Sequence, residues 1–553
     1  MTTRRWKVLT PIRGKIGNYP ETISQLLCNR GVRTDKEARA FLNPDERLLY
    51  DPFLLPDMER AVARIRYALR KKEVVSVFGD FDCDGICGTA ILVETLGLLG
   101  GKIVPYIPHR DEGYGINLKA LEHLRNEGST LIVSVDCGIS NAFEVEEASK
   151  NGVDVIITDH HVVPSILPGA MAVINPKRKD SAYPFRELCG AGVALKLTQA
   201  LLQNTAHSTF WKDLLDIAAL GTVADLVPLV GENRYLVQAG LCSLNQTKRE
   251  GLKWLIQENG LTRVDADDIS WVLAPRINAS GRMSHAMLGL KLLLSTSAFE
   301  AEILAQRLGE DNAQRQRLQE KNLVRARQEV LREEELPPII VVGGEGYSDK
   351  VAGLVASRLV DEFYRPAVVF GQDGGRVRGS ARSIPGFDIT QALSRCRHLL
   401  LRFGGHPGAA GFTTWASNID GLRDSLVAVA SEGLGITELQ PQLCIDVEAP
   451  LSSLNGEVLR LLQTFPPFGR DNPKPSFLSR RVRVVGCERV GESGSHLKLK
   501  FKGGNFVWEG IGFNLGERHT EVDTFLDIVY NVEPNEFRGE SRLELSLIDF
   551  AAC

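Results

Sequence analysis

The sequence reads Val74-Val75-Ser76-Val77-Phe78-Gly79-Asp80-Phe81-Asp82-Cys83-Asp84-Gly85 where an apolar, β-branched run is followed by three closely spaced carboxylates. Alternate residues of an extended chain point the same way, so Asp80, Asp82 and Asp84 can converge on one point. Converging anions repel one another unless a cation neutralises them, so the stretch predicts a bound divalent metal ion. An EF-hand loop would share this spacing, but its twelfth position would be a glutamate where this chain has Ile91, and a strand rather than a helix precedes the motif. An EF-hand is therefore excluded.

Outward from this stretch, further β-branched runs alternate with helical stretches. The runs Lys102–Tyr106, Leu131–Val135 and Val153–Thr158 read, together with Val74–Phe78, as buried parallel strands. Such alternation predicts a doubly wound α/β fold with a parallel sheet. In open sheets of this kind, ligands bind at the carboxyl ends of the strands.

Acidic residues follow two more of these strands at that edge. Leu131–Val135 runs into Asp136, and Val153–Thr158 runs into Asp159-His160-His161, while Asp225 follows a helix-like stretch. Each acid alone could be a helix N-cap or a turn residue, but together they predict a metal site. Oxygen and imidazole ligands favour Mn²⁺ or Mg²⁺ over structural zinc, and so many ligands predict two ions bridged by a carboxylate.

The composition is that of an ordinary globular protein. The chain has 553 residues, 43% of them hydrophobic and 24% charged, with a formal net charge of −4. Intrinsic disorder and a disulfide scaffold are excluded, and so is nucleic-acid binding through bulk positive charge. The start lacks the apolar core of a signal peptide and the apolar runs are too short for a membrane span, which predicts a cytoplasmic protein without membrane contact.

The length predicts three or four domains, and the pattern along the chain refines this division. Ala298–Leu336 has the length and the charged composition of one long helix, which Pro337-Pro338 would end. The residues after about Leu443 alternate like the strands of a small barrel. The predicted segments are an N-terminal cap (1–72), a first α/β domain (73–297), the long connecting helix (298–336), a second α/β domain (337–440) and an all-β barrel (443–553).

The barrel segment carries a local excess of positive charge. Between Arg470 and Lys502 there are nine Lys or Arg against three acids, and aromatic residues are interleaved with them. Basic grooves with aromatic stacking platforms hold single-stranded nucleic acid in OB-folds. The alternative is a solvated β face over core aromatics. The aromatic residues are Phe477, Phe501, Phe506 and Trp508.

Several short motifs, taken together, resemble one known superfamily. GDFDCDG at 79–85, VDCG at 135–138, TDHH at 158–161 and ADLVPL at 224–229 occur in the order of the four motifs of the DHH phosphoesterase superfamily. Downstream, GGHPGAAG at 404–411 is similar to the signature of the associated DHHA1 domain. The resemblance implies that the first α/β domain is a DHH catalytic domain and the second a DHHA1 domain.

Three more motifs narrow the resemblance. APRINASGR at 274–282, GSAR at 379–382 and PPFG at 466–469 are similar to motifs of the bacterial exonucleases specific for single-stranded DNA. The match spans roughly residues 40 to 550. It implies that the C-terminal barrel is an OB-fold that binds nucleic acid.

The resemblance also implies a metal site and a catalytic group. Two ions, Mn²⁺ or Mg²⁺, would be bridged by Asp136, and the choice between Asp80 and Asp82 as the direct ligand of the first ion stays open. His161 would lie beside the scissile phosphate, in a catalytic group with Asp136 and Asp159. The implied metal ligands are Asp80, Asp82, Asp84, Asp136, His160 and Asp225.

Positioning a nucleic-acid strand needs basic and hydrogen-bonding groups, and the motifs supply them. His406, in a Gly-rich loop, would contact the substrate, although a structural histidine is the alternative. Each Arg alone could instead form a surface ion pair. The residues implied around a 5′ phosphate are Arg110 and, in a Gly-flanked turn whose N–H groups could cradle phosphate, Ser380 and Arg382. The residues implied along the strand backbone are Arg276, Asn278 and Arg282.

The resemblance implies a processive 5′→3′ exonuclease that hydrolyses single-stranded DNA to 5′-mononucleotides by two-metal-ion catalysis, in DNA repair and recombination. Its partners would be single-stranded DNA with a 5′ end, a RecQ-type helicase and the single-stranded-DNA-binding protein. Strand selection would be steric, in a cleft between the two α/β domains. The alternative is a DHH-family phosphodiesterase acting on short oligonucleotides or cyclic dinucleotides. A scaffold without catalysis would have lost metal ligands, and this chain keeps the full set.

Overall fold

The computed structural model describes residues 4–12, 14–434, 439–503, 506–537 and 540–553. Its strands are β1 (Arg5–Val8), β2 (Val74–Gly79), β3 (Lys102–Tyr106), β4 (Ser129–Val135), β5 (Asp154–Thr158), β6 (Ala172–Ile174), β7 (Ile340–Gly344), β8 (Ala367–Asp373), β9 (Arg376–Arg382), β10 (Leu400–His406), β11 (Ala409–Trp415), β12 (Gln442–Ile445), β13 (Val447–Glu448), β14 (Phe477–Val490), β15 (His496–Gly503), β16 (Phe506–Gly512), β17 (Phe525–Phe537) and β18 (Glu540–Ala552).

The helices, in chain order, are α1 (Glu21–Asn29), α2 (Asp35–Leu42), α3 (Met58–Lys71), α4 (Cys83–Leu98), α5 (Leu118–Asn126), α6 (Ala142–Lys150), α7 (Gly190–Leu202), α8 (Leu215–Ala224), α9 (Gly231–Leu244), α10 (Glu250–Glu258), α11 (Ala266–Asp268), α12 (Ala274–Met283), α13 (Met287–Leu294), α14 (Ala298–Val330), α15 (Ala352–Phe363), α16 (Ile389–Arg395), α17 (Ile419–Leu434) and α18 (Gly456–Leu462). None of the helices described is both long enough and apolar enough to cross a membrane.

The chain forms two compact units. The larger unit consists of Trp6–Ala274, Gly289–Glu302 and Cys444–Cys553, and the smaller unit is built mainly from Pro275–Leu288 and Ile303–Leu443. The larger unit contains a parallel sheet and a barrel, and the smaller unit contains one mixed sheet. The boundaries of the five segments expected from the sequence stay a prediction.

The larger unit contains the predicted parallel sheet, in the strand order β3-β2-β4-β5-β6. Every neighbouring pair in it is parallel. The central strands β2, β4 and β5 are buried because helices cover both faces, which is why their sequences are continuous apolar runs. Helix α4 follows β2 directly and is buried over most of its length. The carboxyl ends of β2, β4 and β5 therefore meet at one edge of the sheet.

The same unit contains the C-terminal barrel. Strands β14, β15, β16, β18 and β17 are paired in that order, and β17 pairs back with β14, so the five strands form a closed barrel. The barrel segment also contains helix α18, which the strand-like sequence pattern did not predict.

The N-terminal cap and the barrel share one hydrophobic core. Ile23 and Leu26 of α1 are fully buried in the same cluster as Phe465 and Phe501. The rings of Phe41 and Phe465 meet edge to face, with centroids 5.7 Å apart. The N-terminal cap and the C-terminal barrel thus pack together around a single core.

A buried arginine of α9 joins this core to the first α/β domain. The Arg234 guanidinium donates from Nε to the carbonyl of Phe41 at 2.7 Å, and from Nη2 to the carbonyls of Thr464 and Pro466, each at 3.1 Å. Its charge lies 4.0 Å from the centroid of the Phe41 ring. Burial lowers the pKa of Arg234 to about 9. Backbone carbonyls of the cap and of the barrel segment are therefore held by one side chain.

The smaller unit has a mixed sheet in the order β10-β11-β9-β8-β7. Strands β7 and β8 are parallel, and the other pairs are antiparallel. Helix α15 connects β7 with β8, as the predicted second α/β domain requires. The fold class expected from the sequence is confirmed: a parallel DHH-type sheet, a long helix, a second α/β domain and an all-β barrel.

The long helix α14 is shorter than the sequence predicted. It ends at Val330 rather than at Leu336, and its last turn is closed by bonds from Arg332 N to Glu329 O and from Glu333 N to Val330 O, each 3.3 Å long. Three consecutive glutamates follow at 333–335, and the negative end of the helix dipole disfavours further negative charge there. Local electrostatics thus end the helix before the prolines do.

Candidate active site

Carboxylates and imidazoles from three strand ends and one helix end converge at the edge of the parallel sheet. Asp80 follows β2, Asp136 follows β4, His160 follows β5, and Asp225 caps the end of α8. Within each of three overlapping groups, the potential ligand atoms all lie within 4.8 Å of one another. The groups are Asp80 with Asp82 and Asp136, Asp84 with His160 and Asp225, and Asp136 with His160 and His161.

His160 stands in the middle of this arrangement. Its Nε2 lies 3.0 Å from Asp136 Oδ1, 3.5 Å from Asp225 Oδ2 and 3.9 Å from Asp84 Oδ2. Burial lowers the pKa of His160 to about 3, and the charge of His161 acts in the same direction. A neutral imidazole surrounded by carboxylate oxygens has the chemistry of a metal ligand rather than of an ion-pair partner.

Four buried polar atoms at this site make no hydrogen bond within the described part of the chain: Asp80 Oδ1, Asp136 Oδ1 and both ring nitrogens of His160. Asp136 Oδ1 and His160 Nε2 are 3.0 Å apart, but this contact does not have the geometry of a hydrogen bond. Buried polar groups are normally paired, so an unpaired set that points to one place requires a ligand there. The residues present therefore fit divalent cations that prefer oxygen and imidazole ligands.

The electrostatics agree with this assignment. Burial, reinforced by neighbouring carboxylates, raises the pKa of Asp84 to about 7 and the pKa of Asp225 to about 8. Burial and the charge of Asp82 raise the pKa of Asp80 well above its usual range, and burial and the charge of Asp84 do the same for the pKa of Asp136. So many buried carboxylates oppose ionisation unless a cation compensates them.

The start of helix α4 fixes the positions of Asp80 and Asp82. Asp82 is the N-cap of α4, because its Oδ1 accepts from the backbone N–H of Asp84 at 3.0 Å and of Gly85 at 3.1 Å. Only glycine fits at position 85, where a Cβ would lie 2.6 Å from the backbone oxygen of Asp80. Asp82 is thus a helix N-cap, which was one of the alternatives for these acids. Its second carboxylate oxygen remains available to a metal ion.

Asp84 and Asp136 are held by features that sequence reasoning missed. The Asp84 carboxylate accepts from the N–H groups of Gly190 at 2.6 Å and Ala191 at 2.9 Å, in the first turn of α7. Asp136 has a φ of +61°, a left-handed conformation uncommon for a residue with a side chain. Such strained backbone is concentrated at functional sites. The Gly190-Ala191 pair at the start of α7 is the only feature of the sequence that could have indicated the contact with Asp84.

Asp159 is in none of the three ligand groups. Its Oδ1 accepts from the backbone N–H groups of His160 at 2.7 Å and His161 at 3.0 Å and lies 2.8 Å from His161 Nδ1, while Oδ2 accepts from Ile139 N at 3.0 Å. Burial would raise the pKa of Asp159, but its bonds to His161 and the backbone outweigh this and lower it. Asp159 therefore orients His161, and His160 is the residue that β5 delivers to the ligand groups.

His161 is half-buried and is held on several sides. Burial would lower its pKa, but the hydrogen bond and the charge of Asp159 outweigh burial and raise it. The amide of Asn175 donates to its backbone carbonyl at 3.0 Å, and the hydroxyl of Tyr114 lies 3.1 Å from its Nδ1. Neither Asn175 nor Tyr114 was assigned a role from the sequence.

Arg110 follows β3, in a short 3-10 turn, as the sequence placed it. Its guanidinium lies 4.8 Å from the centroid of the ring of Phe81, the residue between the first two carboxylates of the motif. A planar cation over an aromatic face is held by the ring quadrupole. Arg110 is thus brought to the carboxyl edge of the sheet.

The other predicted substrate residues lie in the smaller unit. Arg276, Asn278 and Arg282 are on α12, and Arg282 Nη1 donates to the backbone carbonyl of Lys350 at 2.9 Å, just before α15. Ser380 and Arg382 also meet the start of α15. The Arg382 Nη2 atom would lie 3.0 Å, and Ser380 Oγ 3.5 Å, from a Cβ added to the first-turn glycine of this helix.

Two of the sequence predictions for this unit were wrong in their local structure. Ser380 and Arg382 are in strand β9, not in a turn, and Ser380 is paired with Gly411 of β11. Their backbone N–H groups serve the sheet and cannot cradle phosphate. His406 is the exposed end of strand β10, whose Gly-rich sequence forms a hairpin with β11 rather than a loop. Glycine was mistaken for a loop signal where it allows tight pairing.

The charge excess of the barrel is smaller than the sequence suggested. Lys474 pairs with Glu533, Arg480 with Asp527, and both Lys498 and Lys500 with Glu509. The neutralising acids come from other strands of the barrel, so a count along one segment missed them. Arg483 of β14 lies opposite Lys502 of β15 in the strand register. Neither side chain forms an ion pair with any of the described residues.

The barrel aromatics divide between core and surface. Phe477 and Phe501 are fully buried and are core residues, so they cannot be stacking platforms as one interpretation had it. Phe506, in contrast, is 75% exposed, and Trp508 is half-buried. Among the four aromatics, only the two near the start of β16 can meet a base.

Three families match successive parts of the chain. Residues 74–222 match the DHH family, N-terminal domain; residues 336–432 match the DHHA1 domain; and residues 445–549 match the RecJ OB domain. With the converging carboxylates described above, these matches define a DHH-type, metal-dependent phosphoesterase.

Individual relatives give the narrower assignment. The chain is 37% identical to the single-stranded-DNA-specific exonuclease RecJ of Bacillus subtilis, over 99% of this chain and 71% of the relative. The structure is similar to that of RecJ from Thermus thermophilus in complex with Mn²⁺, with a TM-score of 0.84, 31% identity and coverage of 99% of this chain and 80% of that one. For the complex of the same protein with Mg²⁺ the TM-score is 0.78 at 28% identity, with 99% and 78% of the two chains covered. The chain belongs to the RecJ family of single-stranded-DNA-specific exonucleases.

Proposed function

We propose that this protein hydrolyses single-stranded DNA from its 5′ end and releases 5′-mononucleotides, with two divalent ions per active site. The observation that carries the proposal is the set of buried, unpaired atoms Asp80 Oδ1, Asp136 Oδ1 and His160 Nε2. When bound, Mn²⁺ or Mg²⁺ lowers the pKa of a water molecule and neutralises the charge that develops on the phosphate. The three overlapping ligand groups support two ions rather than one.

The residues of the chain divide the remaining work. Asp136 belongs to two of the ligand groups and would be the ligand that the two ions share. Asp80 would bind the first ion directly, because its Oδ1 is buried and makes no hydrogen bond, whereas Asp82 uses one oxygen to cap α4. Asp84, His160 and Asp225 would hold the second ion.

His161 is the group that acts on the phosphate. Asp159 accepts at Nδ1 and fixes the ring, so Nε2 is the nitrogen that can hydrogen-bond the phosphate or give a proton to the leaving oxygen. Asp159 stays ionised because it is surrounded by donors that lower its pKa, which makes it a constant acceptor. This is the orienting role that a carboxylate has in other histidine-dependent sites.

The 5′ phosphate is recognised by arginine and hydroxyl groups. Arg382 and Ser380 converge on the start of α15, where the dipole of the helix also favours an anion. Arg110 adds a planar guanidinium that can bind phosphate oxygens in a bidentate way. Arg276, Asn278, Arg282 and His406 contact the strand beyond this phosphate.

The barrel holds the strand away from the active site through Arg483, Lys502 and the exposed ring of Phe506. Replacing both Arg483 and Lys502 by alanine should weaken binding of a long single strand and reduce the slope of its salt dependence by roughly two. Lys498→Ala is the matched control, because Lys498 is already paired with Glu509. Point variants are preferable to removing the barrel, whose core includes residues of the cap. An unchanged salt slope in the double variant would exclude this surface.

We further propose a cytoplasmic location and a role in DNA repair and recombination, in which a RecQ-type helicase supplies the single strand and the single-stranded-DNA-binding protein covers it. The proposal is supported by the three matched domains, whose proposed roles here are catalysis and the binding of a single strand. A nuclease limited to single strands requires another activity to separate a duplex.

Digestion of end-labelled DNA tests the polarity and the substrate. With Mn²⁺ or Mg²⁺, a 5′-phosphorylated single strand should give mononucleotides from its 5′ end, blunt duplex should resist, and EDTA should stop the reaction. Asp136→Asn should be inactive, whereas Asp180→Asn, which removes an exposed carboxylate paired with Arg178, should keep full activity. Release from the 3′ end, equal attack on duplex, or a preference for dinucleotides or cyclic dinucleotides would overturn the proposal.

A further inference from the structure

Tyr114 contacts two parts of the active site with one hydroxyl group. The hydroxyl donates to the backbone carbonyl of Asp136 at 3.0 Å and lies 3.1 Å from Nδ1 and 3.4 Å from Nε2 of His161. Its ring meets the imidazole of His161 edge to face, with centroids 5.6 Å apart. No metal-ligand or phosphate-binding role accounts for these contacts.

Counting hydrogens determines what the hydroxyl does for His161. A carbonyl can only accept, so the single hydrogen of the hydroxyl goes to Asp136. Towards His161 the oxygen can then only accept, and the hydrogen it meets is the one on Nδ1, which Asp159 Oδ1 also accepts at 2.8 Å. Asp159 Oδ1, which cannot donate, and the shorter of the two hydroxyl contacts both fall on Nδ1, so the tautomer with hydrogen on Nδ1 is favoured and the lone pair of Nε2 is left for the substrate.

The loop that carries Tyr114 is anchored on both sides. Glycines at positions 113 and 115 have φ values of +96° and +85°, so the chain turns sharply on each side of Tyr114. A Cβ on Gly115 would lie 2.5 Å from Asn141 Oδ1. Asn141 accepts from Ile116 N at 3.2 Å and donates to Ile116 O at 3.0 Å. The position of the phenol is therefore set before any substrate binds.

We propose that Tyr114 is a positioning residue of the nuclease reaction, whose hydroxyl ties the imidazole of His161 to the turn at Asp136. The inference rests on the proposed function, in which His161 acts on the phosphate. A packing role is a poor account of this side chain, because it is 47% exposed. Its hydroxyl, not its bulk, makes the contacts that matter.

Tyr114→Phe removes the hydroxyl alone and tests the proposal. We expect kcat on 5′-phosphorylated single-stranded DNA to fall on the order of tenfold, while KM stays within about twofold, since one oriented hydrogen bond is lost and no strand contact changes. Calorimetric titration with Mn²⁺ alone should give wild-type affinity, because no metal ligand is removed. Tyr67→Phe, an exposed tyrosine of α3, is the matched control and should behave as wild type.

A double-mutant cycle separates action through His161 from other effects. In a His161→Gln background, Tyr114→Phe should cost little further activity, because the group that it positions is gone. Wild-type kcat in Tyr114→Phe, the same loss of kcat with and without His161, or a loss of Mn²⁺ affinity equal to the loss of kcat would each overturn the inference. Failure of the proposed function is distinguishable, because the wild-type protein would then be inactive on single strands with Mn²⁺.

Discussion

Asp136→Asn should stabilise the metal-free protein and destabilise the metal-loaded one relative to wild type. The oxygens of Asp80, Asp82 and Asp136 lie within 4.8 Å of one another. At that distance two unit charges repel by about 3.5 kcal/mol at an effective dielectric constant of 20. Proton uptake by the raised-pKa carboxyls relieves part of this repulsion, so we expect a net gain of about 1–3 kcal/mol for the metal-free variant at pH 8.

Divalent ions reverse the order of the two proteins. A ligand at one hundred times its dissociation constant stabilises the folded state by about 2.7 kcal/mol, and the variant has lost the bridging oxygen on which that affinity depends. Thermal unfolding should therefore show a higher midpoint for Asp136→Asn in EDTA and a higher midpoint for wild type in Mn²⁺. Nuclease activity of the variant should fall more than about a hundredfold, since even outer contacts of a metal site are worth ten to a hundredfold.

The crossing of the two midpoints is the decisive result. Glu146→Gln, at an exposed ion pair with Lys150, controls for the loss of any one carboxylate and should follow wild type in both buffers. Two results would refute this reasoning. Mn²⁺ would raise the midpoints of wild type and Asp136→Asn equally, or the variant would be the less stable protein in EDTA, which would mean that carboxylate repulsion does not destabilise the metal-free site.

Three further results are expected. The metal-free protein should unfold at a lower temperature as the pH rises from about 4 to about 8, and Mn²⁺ should flatten this dependence. Burial raises the pKa of Asp84 from 3.8 to about 7 and the pKa of Asp225 from 3.8 to about 8, so in this range the folded state holds protons that the unfolded state has released, and stability falls until the pH passes the folded values. Arg382→Ala should reduce the preference of kcat/KM for a 5′-phosphate over a 5′-hydroxyl end by about ten to a hundredfold, the worth of a charged hydrogen bond. Arg234→Met should lower the free energy of unfolding by at least about 3 kcal/mol in urea titration, because buried carbonyls lose their donor, whereas Arg39→Met at an exposed ion pair should change little.

The sequence predicted the parallel sheet and the convergence at its edge because both depend on local patterns. Continuous apolar runs identify strands that are buried on both faces, and the residue after each strand must lie at the carboxyl edge. Asp80, Asp136 and His160 accordingly meet where they were expected. The class of metal and the family followed from the same few positions.

What the sequence could not predict depends on contacts between distant segments. The acids that neutralise Lys474 and Lys498 lie on other strands, so a local charge count overstated the basic surface of the barrel. The Gly-rich stretch around His406 was read as a loop, although pairing with β11 makes it a strand. Tyr114 has no pattern of its own, because its role comes from where a glycine-bounded loop returns it to the sheet.

The order in which this chain can fold during synthesis follows from the core that its two ends share. Ile23 and Leu26 are buried against residues such as Phe465 and Phe501, which the ribosome adds more than four hundred residues later. At 5–20 residues per second, the apolar face of the first helix has to wait roughly 20 to 90 seconds for its partner. The cap that is made first is completed last, so the nascent chain should depend on chaperones to cover α1, and incomplete chains should be recognised by that exposed helix.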